Sequence, residues 1–328
     1  MRTFEGIVEV PDGFGPSVAT VGMFDGVHRG HRALIREAVS RAGAAGAVSV
    51  MVTFDRHPLE VLRPGEHPVL LTSLARKARL VEGLGIDTLL VLAFTEEFSR
   101  LSAADFVRTV LVDALCVRGV VVGANFRFGH RSAGDLACLA DMGSRLGFSA
   151  VGVDLEELGD QTISSTRIRR MIERGEVEAA AKALERPHCI DGVVVKGDAR
   201  GRVLGFPTAN LQVAEGLAVP GPGVYAGRME VGGTTLACAI SVGTNPTFGG
   251  TQRRVEAFVL DFRGEMYGEV VALSFEARLR EERTFADADG LITQIRRDVE
   301  ATRAILGPEA TPRHRRQSKP SGEIGATL

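Results

Sequence analysis

The pattern of apolar residues changes near Pro187. Before this proline, short apolar runs alternate with stretches that repeat apolar residues at helical spacing, as in Val18–Val21 followed by His31–Arg41. Several such units in succession predict a doubly wound parallel sheet. After Pro187, apolar runs follow one another across turn-rich segments, which predicts an antiparallel barrel or sandwich. A length of 328 residues accommodates two domains of this kind.

The spacing predicts further elements in each half. In the first half we expect strands over Val48–Phe54, Thr88–Ala93, Gly119–Val122 and Ser149–Val153, and helices over Ser73–Gly83, Ala103–Leu115, Gly134–Leu146 and Thr166–Arg186. In the second half we expect strands over Gly192–Val195, Val224–Val231, Leu236–Val242, Val255–Phe262 and Val270–Ala277. A closing helix over Phe285–Ile305 would carry a core stripe of Leu291, Ile292, Ile295 and Val299. The predicted domains are residues 1–186 and 187–306, and residues 307–328 read as a disordered tail.

Composition excludes several classes of protein. The formal charge is −2, so the chain lacks the basic excess of an electrostatic nucleic-acid binder. Apolar runs stay well short of the roughly 20 residues that span a bilayer. The four cysteines lie far apart without a CxxC pair, which is typical of buried thiols in a reducing compartment. We therefore expect a soluble cytoplasmic protein that binds neither nucleic acid nor membrane.

Gly22-Met-Phe-Asp-Gly-Val-His-Arg-Gly-His31 joins a predicted strand to a predicted helix. Its glycines, Gly22, Gly26 and Gly30, allow close backbone approach, and helix N-terminal amides attract anions. His28 and His31 stand at the same turn, so the segment predicts a phosphate-binding loop without lysine. The spacing matches neither a Walker A loop nor the dinucleotide motif GxGxxG. A tight turn with incidental histidines, or a histidine pair for a metal, is the alternative.

Ile163-Ser-Ser-Thr-Arg-Ile-Arg169 opens the next predicted helix. Ser164, Ser165 or Thr166 would cap this helix. Capping alone does not explain Arg167 and Arg169 in the first turn, where the helix dipole disfavours cations unless an anion is bound. The segment therefore favours a second contact to a polyphosphate.

The second half contains a glycine loop and an isolated acid. Gly201, Gly205 and Pro207 shape a loop beside Thr208 and Asn210, whose neutral oxygens suit Mg²⁺ near ATP phosphates. Glu256 interrupts an apolar strand and could accept a proton from an attacking hydroxyl. A plain β-turn and an outward-facing strand position are the alternatives.

Together these motifs resemble the HxGH-type nucleotidyltransferases, and more closely the bacterial bifunctional riboflavin kinase/FMN adenylyltransferases. The resemblance rests on Gly22–His31 and Ile163–Arg169, on Gly123-Ala-Asn-Phe-Arg-Phe-Gly129 with Arg131, Gly134 and Asp135, on Gly201–Asn210, on Gly243–Phe248, and on Val255–Phe262 with Tyr267-Gly268. It implies a Rossmann-like α/β domain followed by a mainly antiparallel β-barrel with a closing helix. It also implies riboflavin, FMN, FAD and ATP as small-molecule ligands and Mg²⁺ as cofactor, and leaves the oligomeric state open.

The resemblance implies roles for single residues. His28, His31, Ser164 and Arg167 would hold the ATP triphosphate, Thr208 and Asn210 would bind Mg²⁺, and Glu256 would be the base. Contacts to nucleotide or flavin are expected from Asn125 and Arg127, and ring stacking from Phe54, Phe126 and Phe128. Further binding residues are expected at Gly22, Phe24, Asp25, Gly30, His57, Ser165, Gly201, Arg202, Gly205, Phe206, Pro207 and Asn245.

The chain departs from the family pattern at a few positions. Arg56 in Thr53-Phe-Asp-Arg-His-Pro58 replaces a proline, and Met23, Phe258 and His188 replace the family's usual Asn, His and aromatic residue. Two other functions stay open from the residues alone. One is a nucleotidyltransferase for another small phosphate with an accessory barrel, and the other is a catalytically silent flavin or nucleotide sensor.

Overall fold

Six parallel strands form the sheet of the N-terminal half, in the order β1-β4-β3-β2-β5-β6. We use a computed structural model of the chain that describes residues 1–154, 156–158, 161–197, 201, 205–247 and 250–307. The strands are β1 Arg2–Glu5, β2 Ser17–Val21, β3 Val48–Phe54, β4 Thr88–Leu92, β5 Val117–Gly123 and β6 Ser149–Val153. Every residue of β2 and β4 is buried, because helices cover both faces of the sheet.

The direction in which the chain adds strands to the sheet reverses at β2. From β2 the chain adds β3 and β4 on one side of the sheet, and β5 and β6 on the other. In open sheets of this kind, ligands bind beyond the carboxyl ends of the strands at such a switch point. The ends of β2 and β5 are therefore where a site is expected.

Helices connect these strands or come after the last strand of the sheet. They are α1 Arg29–Ala45, α2 Pro58–Leu62, α3 Leu74–Glu82, α4 Glu96–Ser99, α5 Ala103–Phe106, α6 Leu136–Leu146, α7 Ser165–Glu173 and α8 Val177–Leu184. The segment Val107–Ala114 continues α5 with π-helical hydrogen bonds, and 3-10 turns cover Ile7–Glu9 and His130–Ser132. A small antiparallel pair, β7 Glu157–Leu158 and β8 Gln161–Thr162, precedes α7.

The second half is a closed antiparallel barrel in the order β10-β13-β12-β11-β14-β9. Its strands are β9 His188–Val195, β10 Ala209–Val213, β11 Gly223–Val231, β12 Thr234–Thr247, β13 Gly250–Val259 and β14 Val270–Arg280, followed by α9 Ala288–Leu306. Alternate residues fill the interior, as Val255, Ala257 and Val259 do on β13. Closure selects the barrel over the sandwich that the sequence also allowed.

An ion-pair cluster joins the two halves. Asp191 on β9 accepts hydrogen bonds from Arg76 Nη2 at 2.6 Å, Arg79 Nη2 at 3.1 Å and Ser73 Oγ at 2.8 Å. Backbone bonds add to it, because Leu70 and Leu217 form an isolated parallel bridge. The two halves therefore share polar contacts as well as the apolar cluster formed around α7 and α8.

Several expected elements differ from those observed. The helix expected over Thr166–Arg186 is two helices, because Gly175 between them has a φ of 75° that ends α7. The closing helix begins at Ala288, since Asp287 caps it, and the residues it buries most deeply are Asp298 and Thr302 in place of the apolar stripe. Strands β1 and β10 lie outside the expected elements.

The cysteines also differ from expectation. Only Cys238 is buried, Cys138 and Cys189 are partly buried, and Cys116 is exposed. Within the described residues, no helix is long and apolar enough to cross a bilayer. The tail expected to be disordered lies outside the described residues from position 308 onward.

Candidate active sites

A cavity of about 380 Å³ opens at the carboxyl ends of the parallel strands. It brings together the segments that follow β2, β3 and β5 with the N-terminus of α7. The expected site residues that line it are Gly22, Phe24, Asp25, His28, Gly30, His31, His57, Asn125, Phe126, Ser164 and Ser165. The strand-to-helix loops thus form one surface from segments far apart in the chain.

His28 and His31 stack on each other at the start of α1. Their ring centroids are 3.5 Å apart at an interplanar angle of 18°. His28 Nδ1 accepts a hydrogen bond from the His31 amide at 3.3 Å, so His28 is also the N-cap of α1. With Nδ1 accepting, the proton of a neutral His28 is on Nε2. Phe24 packs edge-on against His31, with the two ring centroids 5.3 Å apart.

Burial keeps both imidazoles neutral. It lowers the pKa of His28 from 6.5 to about 4, and the charge of Arg186 adds to this effect. Burial also lowers the pKa of His31 well below 6.5, helped by the charges of His28 and Lys77. His31 Nδ1 is buried and has no hydrogen-bond partner within the described residues. The pair therefore offers hydrogen bonds to a ligand and no positive charge.

Arg169 supplies a positive charge at the cavity wall. Its Nη2 donates to Asp25 Oδ2 at 2.7 Å, and its Nε donates to the Val69 carbonyl at 2.7 Å. Asp25 is 2% exposed and also accepts from the amides of Leu71 and Thr72. This carboxylate thus orients Arg169 and ties the glycine loop to the segment before α3. Asp25 also lines the cavity, so its predicted contact with substrate stays a prediction.

Arg167 takes a different place from the one expected. Ser164 caps α7 by accepting from the Arg167 amide, and Ser165 Oγ donates to the Asp25 carbonyl at 2.9 Å. The guanidinium of Arg167 donates to the Leu158 carbonyl at 3.4 Å and is not part of the cavity wall. Of the two arginines in the motif, Arg169 therefore faces the cavity, since helical geometry points residues two apart in different directions.

The aromatic candidates separate into two groups. Phe126 lines the cavity and stacks on Phe128 at 5.4 Å. Phe128 is 8% exposed and belongs to the sheet core, and Phe54 packs against Phe94 and Phe98 outside the cavity wall. Burial in the core corrects the expectation that Phe128 stacks on a flavin, because its faces are already covered by protein.

Arg127 and His57 also have local partners. Arg127 Nη1 lies 3.3 Å from Asp135, the N-cap of α6, and is outside the cavity wall. His57 Nδ1 accepts from the Leu59 amide and caps α2. Burial, followed by the charge of Arg169, lowers the pKa of His57. Arg56, the departure from the family pattern, pairs with Asp55 at 3.0 Å on the exposed side of this loop.

On the barrel, Asn210 and Glu256 are direct cross-strand partners. Residues opposite each other in an antiparallel pair have Cβ atoms about 4.5–5.5 Å apart on one face. Because Val255 and Ala257 fill the interior, Glu256 points outward, as the alternative interpretation held. Asn210 lies on the same outward face. For Glu256, an outward-facing strand position and a functional position beside Asn210 are therefore compatible. Arg254 Nε lies 3.1 Å from Glu256 Oε1 and holds the carboxylate.

A smaller cavity of about 90 Å³ is lined by Pro207, Thr208 and Asn210 among others, and from β13 by the interior residues Ala257 and Val259, whereas Glu256 is not one of its lining residues. The loop before them folds back, since the Phe206 amide donates to the Gly201 carbonyl at 2.8 Å, and Gly205 has a φ of 84°. Phe206 packs its ring against Phe258 at 5.4 Å. Arg202 lies outside the described residues, and of Asn245 only its backbone place in β12 is described.

The oxygen donors of Thr208 and Asn210 are of a type that suits a hard cation. Both side chains line the smaller cavity and present neutral oxygens, which Mg²⁺ accepts as ligands. Within the described residues, there is no group of three or more His, Cys, Asp or Glu side chains that could hold a metal. A metal held here would therefore need the phosphates of a nucleotide to complete its coordination, as is usual for Mg²⁺.

Sequence reasoning missed two buried cations at the first site. Arg186 Nη2 donates to the Gly26 carbonyl at 2.6 Å, and its Nη1 donates to the Val27 carbonyl at 3.3 Å. Lys77 reaches the same loop from α3. No local signal marks either residue, because Lys77 lies within α3 and Arg186 follows α8, both far along the chain from the loop that they contact. Arg169, in contrast, stands inside a motif that the sequence already pointed to.

Comparison with known proteins covers both halves. The FAD synthetase family model matches residues 12–167, and the riboflavin kinase model matches residues 184–306. The bifunctional riboflavin kinase/FMN adenylyltransferase of Listeria monocytogenes is 40% identical over 88% of this chain and 92% of its own length. The protein of the same description from Pseudomonas fluorescens is 38% identical over 89% and 94%. A Streptococcus pneumoniae structure described as a macrolide-efflux protein has a TM-score of 0.85 at 32% identity, covering 92% of this chain and 99% of that one.

Proposed function

The chain belongs to the bifunctional riboflavin kinase/FMN adenylyltransferase family, and from that premise we propose how its two sites divide the work. The protein phosphorylates riboflavin with ATP and transfers an adenylyl group from ATP to FMN, which yields FAD. We assign the second reaction to residues 1–186 and the first to residues 187–306. This assignment is supported by the family models, which match the two halves separately, and by a cavity in each half, lined by His28 and His31 in the first and by Thr208 and Asn210 in the second.

In the first site, an FMN phosphate oxygen attacks the α-phosphorus of ATP. A new P–O bond forms, the bond from the α-phosphorus to the α,β-bridging oxygen breaks, and pyrophosphate leaves with that oxygen. The attacking group already carries negative charge, so the site must align reactants and stabilise charge, and no covalent protein intermediate is required. His28 and His31 donate hydrogen bonds, Ser164 and the α7 amides bind oxygens, and Arg169, in place of Arg167, supplies the charge.

Neutral imidazoles suit this role. Both pKa values lie far below neutrality, so neither histidine loses a proton during the reaction at neutral pH. Hydrogen bonds of fixed direction, aimed at oxygens whose charge increases, lower the barrier without reorganisation. Asn125 and Phe126 line the same cavity and are the proposed contacts to base or flavin.

In the second site, Glu256 accepts the proton of the riboflavin ribityl 5′-hydroxyl as that oxygen attacks the γ-phosphorus of ATP. The bond from the γ-phosphorus to the β,γ-bridging oxygen breaks and ADP leaves. Thr208 and Asn210 would hold Mg²⁺, which when bound would offset the charge of the phosphate oxygens. Arg254 fixes the direction of the Glu256 carboxylate. A positioned base of this kind contributes roughly 10²- to 10⁴-fold.

The test uses purified protein with riboflavin, ATP and Mg²⁺, followed by chromatography of the flavins. We expect FMN to form first and FAD to follow. Absence of both products contradicts the proposal. FAD formation from supplied FMN with no phosphorylation of riboflavin would favour a nucleotidyltransferase with an accessory barrel, and binding without turnover would favour a sensor. Both reactions consume ATP, so we place them in the cytoplasm.

A further inference from the structure

A buried lysine contacts the glycine loop of the first site from below. Lys77 on α3 is 4% exposed. Its Nζ donates to the Met23 carbonyl at 2.7 Å and to Thr53 Oγ1 at 3.1 Å, and Thr53 Oγ1 donates to the same carbonyl at 3.2 Å. One ammonium therefore joins the loop after β2 to the end of β3. Met23 in the first of these segments lines the cavity, as does His57 in the loop that follows β3.

The loop that Lys77 holds has an unusual backbone. Phe24 has a φ of 49° and Val27 a φ of 40°, values that side-chain-bearing residues rarely adopt. Such conformations persist only where surrounding contacts determine them. Met23 directly precedes Phe24, and Phe24 carries the edge contact to His31. The bond from Lys77 to Met23 thus acts on the residue that sets the position of the histidine pair.

The charge of Lys77 has only neutral acceptors. Within the described residues its hydrogen bonds go to one carbonyl and one hydroxyl, and no carboxylate forms an ion pair with it. Asp25, the acid whose charge acts on it, is held by Arg169 and the Leu71 and Thr72 amides. A buried cation without a paired anion is costly. An anion bound in the adjoining cavity would offset that cost.

We propose that Lys77 is a positioning residue for adenylyl transfer, which holds the Met23–Phe24 backbone and supplies a buried positive charge that the ATP triphosphate complements. The inference rests on the proposed adenylyl-transfer site. It assigns to a residue of α3 the charge that the glycine loop itself lacks. Lys77 does not touch the reacting atoms, and acts through the loop and through its field.

The protonation of Lys77 offers a direct readout. Burial lowers its pKa from 10.5 to about 8, against the opposing charge of Asp25. The titratable groups that face it are Asp25 and His31, and the pKa of His31 lies well below 6.5. A polyphosphate in the cavity raises the pKa of Lys77 by charge attraction. The free protein would therefore take up part of a proton when MgATP binds near pH 8.

The experiment compares the wild type with Lys77→Met, Lys77→Arg and Lys77→Gln. Lys182→Met serves as the matched control, since Lys182 is an exposed lysine of α8. FAD formation from supplied FMN measures the activity of the first site. Riboflavin phosphorylation by the same sample measures the activity of the barrel site. Calorimetric titration with MgATP at pH 8, in two buffers of different ionisation enthalpy, measures proton uptake.

We expect Lys77→Met to lower kcat/KM of FAD formation by about 10²-fold, while riboflavin phosphorylation changes by less than about twofold. Proton uptake should disappear in Lys77→Met and persist in Lys182→Met. In the wild type, kcat/KM of FAD formation should fall above about pH 8, and Lys77→Arg should move that decline to higher pH because arginine stays charged.

Equal proton uptake in the wild type and in Lys77→Met overturns the proposal, as does an alkaline decline that Lys77→Arg leaves unchanged. The pH profile of Lys77→Arg decides the matter if Lys77→Met does not fold. Failure of the wild type to form FAD would instead contradict the assigned function, so the two failures are distinct.

Discussion

Arg169 and Asp25 form a 2.7 Å ion pair between the first turn of α7 and the loop after β2. Asp25 is nearly fully buried, and the Arg169 side chain is only 13% exposed. The same carboxylate accepts from the backbone of the segment that bridges to the barrel at Leu217. One acid thus connects the orientation of a cavity-facing arginine with the shape of the glycine loop.

Removing the acid should affect the first site selectively. In Asp25→Asn the amide keeps the shape but loses the charge that orients Arg169, so we expect FAD formation to fall by about 10²-fold. Breaking one side of a buried pair also destabilises a protein by roughly 3–5 kcal/mol, which denaturant unfolding would measure. Asp141→Asn, which breaks an exposed pair with Arg145, is the control, with an expected loss below about 1 kcal/mol. Equal losses in both variants would contradict the role given to Asp25.

The two arginines of the α7 motif should differ. Arg169→Ala removes a cavity-facing charge and should lower kcat/KM of FAD formation by about 10²- to 10³-fold. Arg167→Ala alters a side chain directed at Leu158 and should have a much smaller effect. Steady-state kinetics with supplied FMN would compare them. A larger loss of FAD formation in Arg167→Ala than in Arg169→Ala would support the sequence-based prediction that Arg167 holds the ATP triphosphate.

The two active sites should fail independently. His28→Ala is expected to stop the reaction at FMN, because it removes both the donor and the N-cap of α1. Glu256→Gln is expected to lower riboflavin phosphorylation by about 10²- to 10⁴-fold while FAD still forms from supplied FMN. Glu300→Gln, an exposed position on α9, is the control for the second variant. Loss of both activities in both variants would show that the sites depend on each other.

Acid should destabilise the protein through its buried histidines. Burial lowers the pKa of His188, like that of His28, from 6.5 to about 4. Because these folded-state values lie below the unfolded value, the unfolded chain binds more protons between about pH 4 and pH 6.5. The free energy of unfolding is therefore at its full value above pH 6.5 and falls as the pH drops through this window, by up to about 1.4 kcal/mol per pH unit for each histidine.

His188→Gln tests this effect. Glutamine retains a donor for the Ala218 carbonyl, which His188 Nε2 contacts at 2.7 Å, but it cannot be protonated. Denaturant unfolding between about pH 4 and pH 7 should give a shallower pH dependence for this variant. His67→Gln, at an exposed position, should keep the wild-type slope. If the free energy of unfolding depends on pH equally in the wild type and in both variants, His188 does not cause the acid destabilisation.

The break between α7 and α8 should be intolerant of substitution. A Cβ at Gly175 would lie 2.5 Å from Tyr225 Oη, and the φ of 75° adds strain. We expect Gly175→Ala to lower the free energy of unfolding by about 1–3 kcal/mol. Gly43→Ala is the matched substitution, since Gly43 lies within α1 with open space at its Cβ, and it should stabilise by about 0.5–1 kcal/mol. A neutral Gly175→Ala would contradict the contact with Tyr225.

Periodicity predicted the elements of the sheet domain because each is amphipathic or fully apolar over its own length. Val48–Phe54 and Ser149–Val153 have the same bounds as strands β3 and β6. Periodicity missed β10, since Ala209–Val213 is short and half-polar, and it joined α7 to α8 across Gly175. The barrel supplies the Tyr225 contact at that glycine, and no local pattern contains it.

The candidate site residues also divide into features that the sequence predicted and features that only the tertiary structure decided. The motifs predicted the positions of His28, Asn210 and Glu256, and the resemblance predicted their chemistry. Packing decided which candidates line the cavity: Phe128 lies in the core, and Arg169 lines the wall where Arg167 was expected. Side-chain direction and burial depend on neighbours from other elements, so residue types and spacing do not determine them.

Local sequence alone indicated a parallel α/β half followed by an antiparallel half, the glycine loop after β2 and the cap of α7, because glycine conformation, capping and hydrophobic period act over a few residues. Closure of the second half into a barrel was decided by the tertiary structure. Only the tertiary structure paired Lys77 with Met23, 54 positions away, and Asp25 with Arg169, 144 positions away. A hydrogen bond acts over about 3 Å, so its partner is chosen by packing and not by distance along the chain. Burial then decides whether a group is charged, and thereby which groups can act on a phosphate.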